Sequence, residues 1–266
     1  MSKAAEVLQN SRKIVIKVGS NALAGDDGVL DRTRAANIAH QALALMDVGK
    51  HVVIVSSGAG ASGAGALARL SRKNDIHYKQ ALCAVGQVEL MLAYKEYFAE
   101  GGRPVGQILL TSENFADEVN ALNIRNTLFT LIDEGVVPIV NENDSVSTHE
   151  ISFGDNDHLA ALTAKLWSAD LLILMSDVDG VFNTSPKVDP SAWLIEEVTD
   201  TDTLTGTIVT GGTSTFGTGG MDSKIEAARE AGAYGIPMLL VNGKRPDVIA
   251  DVAAGGRCTL FLPQIS

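Results

Sequence analysis

Short apolar segments alternate with helical segments along most of this chain, and no other sequence feature constrains the fold as strongly. Residues 51–55, His-Val-Val-Ile-Val, form a nearly continuous apolar run of the kind found in parallel strands buried on both faces. Short strands of this type separated by helices imply a sheet that is covered by helices on both sides. We therefore predict an α/β fold, a three-layer α/β/α sandwich around a mainly parallel sheet.

The predicted elements extend over nearly the whole chain. Helices are predicted from an Asp31 cap to about residue 47, over 79–100, and from Ile225 onward. Two more carry apolar stripes, one with Ile124, Leu128, Leu131 and Ile132 and one with Leu159, Leu162 and Leu166. The predicted strands are residues 14–18, 51–55, 105–110, 136–140, 171–175, 237–241 and, as a last edge strand, 258–262.

The composition is that of an ordinary globular chain with an excess of acidic residues. The 266 residues are 45% hydrophobic and 20% charged, and the formal net charge is −11. No composition shift or linker marks a boundary, so we expect a single domain over residues 1–266. The negative charge argues against nucleic acid as the main partner. It leaves ATP open, because a local cluster of lysines together with Mg²⁺ can hold phosphates.

We expect neither a targeting segment nor a membrane-spanning segment. Residues 1–13 lack the apolar core of a signal peptide, and no apolar run approaches the roughly 20 residues of a membrane span. Cys83 and Cys258 lie far apart in the chain, which is typical of reduced, buried thiols. These features favour a cytoplasmic protein without a membrane partner.

A glycine-rich segment precedes the predicted helix near Ile225. Residues 217–224 read Gly-Thr-Gly-Gly-Met-Asp-Ser-Lys, and glycine allows backbone N–H groups to converge on one point. The helix N-terminus adds unsatisfied N–H groups and a positive dipole end, which favour an anion such as phosphate. Lys224 is unfavourable at that end of a helix unless an anion binds there. The alternative is a flexible loop with a surface lysine, and the segment does not match a P-loop.

Lys17 lies inside the first predicted strand, two residues before Gly19. A lysine in a buried strand loses hydration and needs a charged partner. One interpretation is an edge strand whose lysine points to solvent. We favour the other, in which Lys17 reaches a phosphate and Gly19 lets that phosphate approach the backbone, because the flanking residues resemble a strand buried on both faces.

Three polar clusters follow predicted strands or open a predicted helix. They are Asn-Glu-Asn-Asp at 141–144, Gly-Asp-Asn-Asp at 154–157 and Ser-Asp-Val-Asp-Gly at 176–180. Amides and carboxylates at the carboxyl ends of strands can bind an amine, a carboxylate or hydrated Mg²⁺. Asp155 has the alternative role of a helix N-cap. The 177–180 stretch lacks the remaining acidic ligands of an EF-hand, so we reject calcium.

A second glycine-rich turn, residues 57–65, offers either another anion site or merely close helix–sheet packing. The five histidines show no metal-ligand spacing, and Ser57 lacks a nucleophile-elbow pattern. Neither cysteine belongs to a nucleophile motif. Two lysines, two glycine turns and several acid–amide clusters fit phosphoryl transfer, which depends on positioning and charge stabilisation.

In this combination and order, the segments resemble the amino acid kinase family, and within it the members that phosphorylate glutamate. The Asn-Glu-Asn-Asp and Gly-Asp-Asn-Asp pair, followed by Thr-Gly-Gly-Met-x-x-Lys, is specific for those members. Family members acting on acetylglutamate, uridylate or aspartate share the fold and the glycine turns but not this pair. The resemblance covers nearly the whole chain, over residues 14–20, 56–59, 125–127, 137–144, 154–157, 176–180 and 217–224.

The resemblance implies transfer of phosphate from ATP to the γ-carboxylate of L-glutamate, giving γ-glutamyl phosphate, the first step of proline biosynthesis. Mg²⁺ would arrive with ATP. The implied catalytic residues are Lys17 and Lys224 at the transferring phosphate and Asp157 at the Mg²⁺–phosphate region, with Asp155 shaping the loop. Those around glutamate are Ser57, Gly58, Asn141, Asp144 and Asn156. Those holding ATP are Lys17, Gly19, Ser176, Asp177, Thr218, Gly219, Gly220, Met221, Asp222, Ser223 and Lys224.

We further expect feedback inhibition by proline, a homo-oligomer, and no C-terminal RNA-binding-type (PUA) domain such as many relatives carry. Lys50 is expected to lie outside the site and to tolerate alanine. Two alternatives remain open. One is a kinase of the same fold acting on another small acid such as N-acetylglutamate, and the other is a non-catalytic sensor of an amino acid or a nucleotide.

Overall fold

A computed structural model describes residues 1–67, 75–146, 156–186, 188–204 and 220–263. Helices and strands alternate through these residues. The helices are α1 (Lys3–Asn10), α2 (Ser20–Leu23), α3 (Arg32–Asp47), α4 (Ala59–Leu67), α5 (Ile76–Glu100), α6 (Ser112–Ala116), α7 (Glu118–Asp133), α8 (Asn156–Trp167), α9 (Met221–Gly232) and α10 (Val248–Ala253). The strands are β1 (Lys13–Val18), β2 (His51–Ser56), β3 (Val105–Leu110), β4 (Val137–Glu142), β5 (Leu171–Ser176), β6 (Val181–Phe182), β7 (Leu194–Ile195), β8 (Glu197–Val198), β9 (Met238–Asn242) and β10 (Thr259–Phe261).

Within the described residues, eight strands form one sheet in the order β3-β4-β2-β1-β5-β9-β10-β8, and β6 pairs with β7 separately. Neighbouring strands from β3 through β9 are parallel. The predicted strands agree with the observed ones to within two residues. The prediction that 258–262 is an edge strand is wrong, because β10 runs antiparallel to β9 and also pairs with the short β8.

Alternate residues of β1 enter two separate cores, one on each face of the sheet. Ile14 and Ile16 belong to the core beneath α3, α5 and α10, whereas Val15 belongs to the core beneath α7, α8 and α9. This alternation follows from the two-residue period of a strand. The predicted three-layer α/β/α arrangement is confirmed, and Lys17, two residues after Val15, lies on the α8 side.

Side-chain caps fix the starts of the long helices. The Asp31 carboxylate accepts hydrogen bonds from the backbone N–H groups of Thr33 and Arg34, as the predicted cap requires. Asp75 and Asp117 cap α5 and α7 in the same way. Each carboxylate satisfies N–H groups that have no partner inside the helix.

The glycine-rich turn after β2 mainly serves helix packing. α4 crosses α5 so closely that a Cβ on Gly63 would lie 2.0 Å from the Leu82 carbonyl oxygen. A Cβ on Gly86 would lie 1.8 Å from the Ala59 carbonyl oxygen. No side chain fits at either position, so these glycines bring two helix backbones into contact. Of the two interpretations of 57–65, close packing therefore accounts for Gly63.

Lys50 does not behave as the inert surface residue that the sequence suggested. Its ammonium group donates hydrogen bonds to the carbonyl oxygens of Leu8, Gln9 and Ser11, at 2.6 to 3.0 Å, where α1 ends. Helix C-termini leave carbonyl groups without intrahelical partners, and burial lowers the pKa of Lys50. The expectation that Lys50 tolerates alanine overlooked α1, a helix that we did not predict.

None of the described helices combines the length and the apolar character needed to cross a bilayer. Cys83 and Cys258 are both buried and unbonded to each other. That arrangement agrees with the prediction of reduced, buried thiols.

Candidate active site

The carboxyl ends of β1, β2, β4 and β5 meet at one edge of the sheet, and the predicted site residues follow them. Gly19 comes after β1, Ser57 after β2 and Asp177 after β5, while Asn141 lies near the end of β4. Parallel sheets bind ligands at this edge, because loops from neighbouring strands converge there. The first turns of α8 and α9 add Asp157 and Lys224.

Lys17, Asp157 and Lys224 form a buried charged cluster. The Lys17 ammonium lies 2.5 Å from Asp157 Oδ1, and the Lys224 ammonium lies 3.4 Å from Asp157 Oδ2. Asp157 is 0% exposed, and Lys17 is 5% exposed. The structure therefore brings together two lysines that are more than 200 residues apart in the sequence.

Charge governs the protonation states in this cluster. Burial alone would raise the pKa of Asp157, but the charges of Lys17 and Lys224 outweigh burial and lower it. Burial lowers the pKa of Lys224, and the nearby charge of Lys17 acts in the same direction, while Asp157 opposes both. Asp157 thus holds two ammonium groups close to each other, where both can also contact an anionic ligand.

Lys17 does not lie on an edge strand, because β1 pairs with β2 on one side and with β5 on the other. Its side chain therefore projects from the middle of the sheet toward Asp157 on α8. Gly19 keeps the space beside the ammonium open. A Cβ at Gly19 would lie 3.5 Å from Lys17 Nζ and 3.2 Å from the Met175 carbonyl oxygen.

The first turn of α9 faces Asp157. Gly220 is the N-cap residue, and the Ser223 hydroxyl lies 2.8 Å from Asp157 Oδ2 and 3.0 Å from the Gly220 carbonyl oxygen. Lys224 Nζ also donates to the Gly220 carbonyl oxygen at 3.2 Å. Met221 is partly buried and Asp222 is exposed. Thr218, Gly219, Gly154 and Asp155 lie outside the described residues.

Ser176 and Asp177 lie at the end of β5, beside β1. The Asp177 carboxylate accepts a hydrogen bond from Asn21 Nδ2 at 3.1 Å and from the Ser176 hydroxyl at 3.3 Å. Its charge opposes the lowering of the Lys224 pKa by burial, although less than the charge of Asp157 does. Asp177 is therefore near the charged cluster.

A chain of amide side chains runs away from the charged cluster. Asn156 Nδ2 donates to the Ser57 hydroxyl at 2.8 Å and to Asn141 Oδ1 at 2.9 Å. Asn141 Nδ2 donates to Gln87 Oε1 at 2.8 Å. All four side chains are buried. Because Asn156 directly precedes Asp157, the amide chain and the charged cluster are continuous.

Gly58 has a φ of +105°, a backbone conformation that side chains disfavour. A Cβ there would also lie 2.9 Å from Leu23 Cδ1. This glycine is required for the turn that presents Ser57 to Asn156.

Asp144 lies at the polar end of a cavity of ≈ 590 Å³ between α5, β3 and the loop after β4. Burial raises the pKa of Asp144 to about 6, although a hydrogen bond from the Cys83 thiol opposes the rise. Burial and Asp144 together raise the pKa of Cys83, which keeps the thiol protonated as a donor. Cys83 and Gln87 line this cavity, and the sequence motifs identified neither residue.

The described residues can be compared with what a magnesium ion requires. The described residues contain no group of three or more His, Cys, Asp or Glu side chains that could hold a metal. Both oxygens of Asp157 already contact lysines. Mg²⁺ commonly takes few protein ligands and binds largely to substrate phosphates, so these residues fit an ion carried on ATP.

Comparison with known proteins shows the family to which this chain is similar. The model of the Amino acid kinase family matches residues 12–242. Glutamate 5-kinase of Alkaliphilus oremlandii is 52% identical over 257 residues, covering 96% of this chain and 98% of the relative. Glutamate 5-kinase of Clostridium tetani is 44% identical, covering 94% of each chain. That of Syntrophotalea carbinolica is 46% identical over 97% of this chain and 69% of the relative.

Solved structures of lower identity share the fold. UMP kinase from Bacillus anthracis superposes with a TM-score of 0.66 at 19% identity, covering 96% of this chain and 97% of that one. UMP kinase from Ureaplasma parvum gives a TM-score of 0.65 at 20% identity, covering 95% and 99%. At these identities the likeness concerns the fold alone.

Proposed function

The chain belongs to the amino acid kinase family, and on that premise we propose that it transfers the γ-phosphate of ATP to the γ-carboxylate of L-glutamate. The product is γ-glutamyl phosphate, the first intermediate of proline biosynthesis. The relatives named glutamate 5-kinase match this chain over nearly its full length at up to 52% identity. Both the enzyme class and the substrate follow from that agreement.

The observation that carries the chemistry is the Lys17–Asp157–Lys224 cluster, which we call the phosphate end. Its two ammonium groups approach Asp157 from β1 and from α9, so together they can flank a transferred phosphate. Asp157 holds both lysines in place before a ligand binds. Preorganised charge of this kind lowers the barrier of a reaction in which negative charge builds up.

The transfer needs no general base, because the γ-carboxylate is already ionised at neutral pH. One of its oxygens attacks the γ-phosphorus of ATP, forming a new O–P bond as the bond to the ADP oxygen breaks. Lys17 and Lys224 stabilise the phosphoryl oxygens and the leaving group during this step. When bound with ATP, Mg²⁺ would neutralise part of the phosphate charge, and Asp157 is the carboxylate that lies between the two phosphate lysines.

We call Ser57, Asn141, Asp144 and Asn156 the glutamate end. Asn156 donates hydrogen bonds to both Ser57 and Asn141, and all three side chains are neutral, while Asp144 supplies the negative charge. An ionised Asp144 matches the α-ammonium group of glutamate. The glutamate carbon chain would then extend toward Asn156 and the phosphate end.

The direct test is to trap the acyl phosphate. Purified protein is incubated with L-glutamate, Mg-ATP and hydroxylamine, and γ-glutamyl hydroxamate is expected. N-acetylglutamate is tested in parallel, because its acetylated amine carries no positive charge for Asp144. Turnover of N-acetylglutamate without turnover of glutamate would assign the chain to the alternative kinase. Binding of both ligands without any ADP release would favour the sensor.

We further propose that proline inhibits the enzyme by competing at or overlapping the glutamate site. Proline is also an α-amino acid, so Asp144 can pair with its charged nitrogen. Initial rates at subsaturating glutamate should fall with millimolar proline and recover when glutamate is raised. Unchanged rates would contradict this proposal.

A homo-oligomer and a cytoplasmic location also remain our proposals, as does a single domain over residues 1–266. For the oligomer, β3 is an edge strand among the described parts of the chain, and Val88 and Leu92 on the neighbouring α5 are exposed. Open edges with apolar neighbours favour pairing with another chain. Light scattering coupled to size-exclusion chromatography measures the mass, and a monomer at micromolar concentration would contradict the oligomer.

A further inference from the structure

Gln87 is a buried polar residue to which the chemistry above gives no task. It lies on α5, one helical turn after Cys83, and lines the same cavity as Asp144. Its side chain is only 8% exposed. A buried amide normally has all of its hydrogen-bonding groups satisfied.

The hydrogen-bond chain fixes which way the Gln87 amide points. The backbone N–H of Glu142 donates to Asn141 Oδ1 at 2.8 Å, and a backbone N–H can only donate. The Asn141 amide is therefore oriented with Nδ2 toward Gln87. Because Nδ2 is also a donor, Gln87 must present its oxygen, Oε1, to Asn141.

That orientation directs Gln87 Nε2 away from Asn141. Within the part of the chain that the structure describes, Nε2 is buried and has no hydrogen-bond partner. An unsatisfied buried donor is unfavourable, and it becomes favourable when a ligand supplies an acceptor. A carboxylate is the strongest common acceptor for such a group.

We propose that Gln87 donates a hydrogen bond from Nε2 to the α-carboxylate of glutamate and so selects substrates that carry one. This inference rests on the proposed function. The α-ammonium and the α-carboxylate share one carbon atom, so their partners must lie side by side. Asp144 and Gln87 line the same cavity and have opposite hydrogen-bonding roles, one accepting and one donating.

The competing role for Gln87 is purely structural. Its Oε1 holds Asn141, and through Asn141 it orients Asn156. Loss of that support would impair every substrate equally, whether or not the substrate has an α-carboxylate. Loss of a bond to the α-carboxylate would impair only substrates that carry the group.

Two variants and two substrates separate these roles. Gln87→Met keeps a similar shape and removes both the donor and the acceptor. Gln87→Glu keeps an acceptor for Asn141 but replaces the donor with a carboxylate that repels another carboxylate. Each variant is assayed at pH 8 for kcat/KM with L-glutamate and with 4-aminobutyrate, which retains the amine and the reacting carboxylate only.

If Gln87 binds the α-carboxylate, the preference of the wild-type enzyme for glutamate over 4-aminobutyrate should fall about tenfold in Gln87→Met. It should fall further in Gln87→Glu. If Gln87 only supports Asn141, Gln87→Glu should lose less kcat/KM than Gln87→Met. The preference for glutamate over 4-aminobutyrate should then stay constant in both variants. That second pattern would overturn the proposal.

Gln80→Met is the matched control, because Gln80 lies on the same helix but does not line the cavity. Circular dichroism verifies that each variant folds. If one of the two Gln87 variants does not fold, the other still reports the preference for glutamate over 4-aminobutyrate. An inactive wild-type protein would contradict the proposed function itself. An active wild-type protein whose preference survives both substitutions would contradict only the role of Gln87.

Discussion

The phosphate end and the glutamate end are adjacent but are built from different chemistry. Lys17, Asp157 and Lys224 at the phosphate end are charged, buried and joined by ion pairs. Asn141 and Asn156 at the glutamate end are neutral amides joined by hydrogen bonds, and Asp144 is the only charged group in the set that we define there.

This difference matches the two demands on a kinase. Charge at the phosphoryl group changes during the reaction, so fixed cations there act most strongly in the transition state. The charges of the glutamate head group do not change during transfer, so its partners stabilise the ground state and the transition state alike. We therefore expect substitutions at the phosphate end to lower kcat and substitutions at the glutamate end to raise KM.

The largest effect should come from the phosphate lysines. Lys17→Ala and Lys224→Ala should each lower kcat by about 10²–10³, because each removes one preorganised charge. Steady-state kinetics with glutamate and ATP varied separately provides the measurement.

Two lysines outside the site serve as controls for these variants. Lys13 lies at the opposite end of β1, and Lys165 lies at the far end of α8 over the Tyr234 ring. Lys13→Ala and Lys165→Ala should keep near-normal kcat. Near-normal kcat in Lys17→Ala and Lys224→Ala, with changes only in the KM for ATP, would contradict a transition-state role.

The next largest effect should follow loss of the Asp144 charge. Asp144→Asn removes the partner of the α-ammonium and should raise the KM for glutamate about 10- to 100-fold, the value of one charge-assisted hydrogen bond. The KM for ATP should change little. Asp133→Asn, at the exposed end of α7, is the charge-matched control. Equal changes in both KM values would contradict the division into a glutamate end and a phosphate end.

The pH dependence of glutamate binding should follow the titration of Asp144. Its pKa of about 6 lies above its ordinary value of 3.8 because burial disfavours the charge. Protonation below pH 6 removes the charge that binds the ammonium, so the KM for glutamate should rise about fivefold between pH 6 and pH 5 and approach about tenfold per pH unit below that. This rise should disappear in Asp144→Asn.

Raising the pH improves glutamate binding by Asp144 but lowers the contribution of Asp144 to the free energy of unfolding. A carboxyl group whose pKa is raised in the folded state favours folding below its unfolded pKa of 3.8. That contribution is lost as the pH rises through 6. Asp144→Asn should therefore be no less stable to heat than the wild type at pH 8, and a clear decrease in Tm would contradict the assignment.

The smallest effect should arise at Cys83. Cys83→Ala removes the thiol hydrogen bond that partly offsets the raised pKa of Asp144. The pH below which the KM for glutamate increases should move upward, and the KM near pH 6.5 should rise by about two- to tenfold. Cys83→Ser keeps a donor and should behave like the wild type. Identical profiles for the alanine and serine variants would mean that the thiol does not influence Asp144.

Much of this protein follows from its sequence alone. The β-branched runs mark the strands and the acidic caps mark helix starts, because both signals are local. The glycine turns and the polar residues after strands also indicate the sheet edge where the site lies. Lys17 was identifiable because a lysine in an apolar strand needs a charged partner.

The tertiary structure decided what depends on residues far apart in the chain. Only long-range packing brings Lys224 to Asp157 and Lys17, gives β10 a partner on each side, and places Lys50 at the end of α1. The neighbouring sequence does not distinguish Gly63 and Gly86 from other glycines. They are required because α4 and α5 cross in close contact. Gln87 carries no motif, and its Nε2, which has no partner among the described residues, faces away from Asn141 because the Glu142 backbone orients Asn141. Local signals specify secondary structure, whereas the partners of buried polar groups are set by contacts that no short segment encodes.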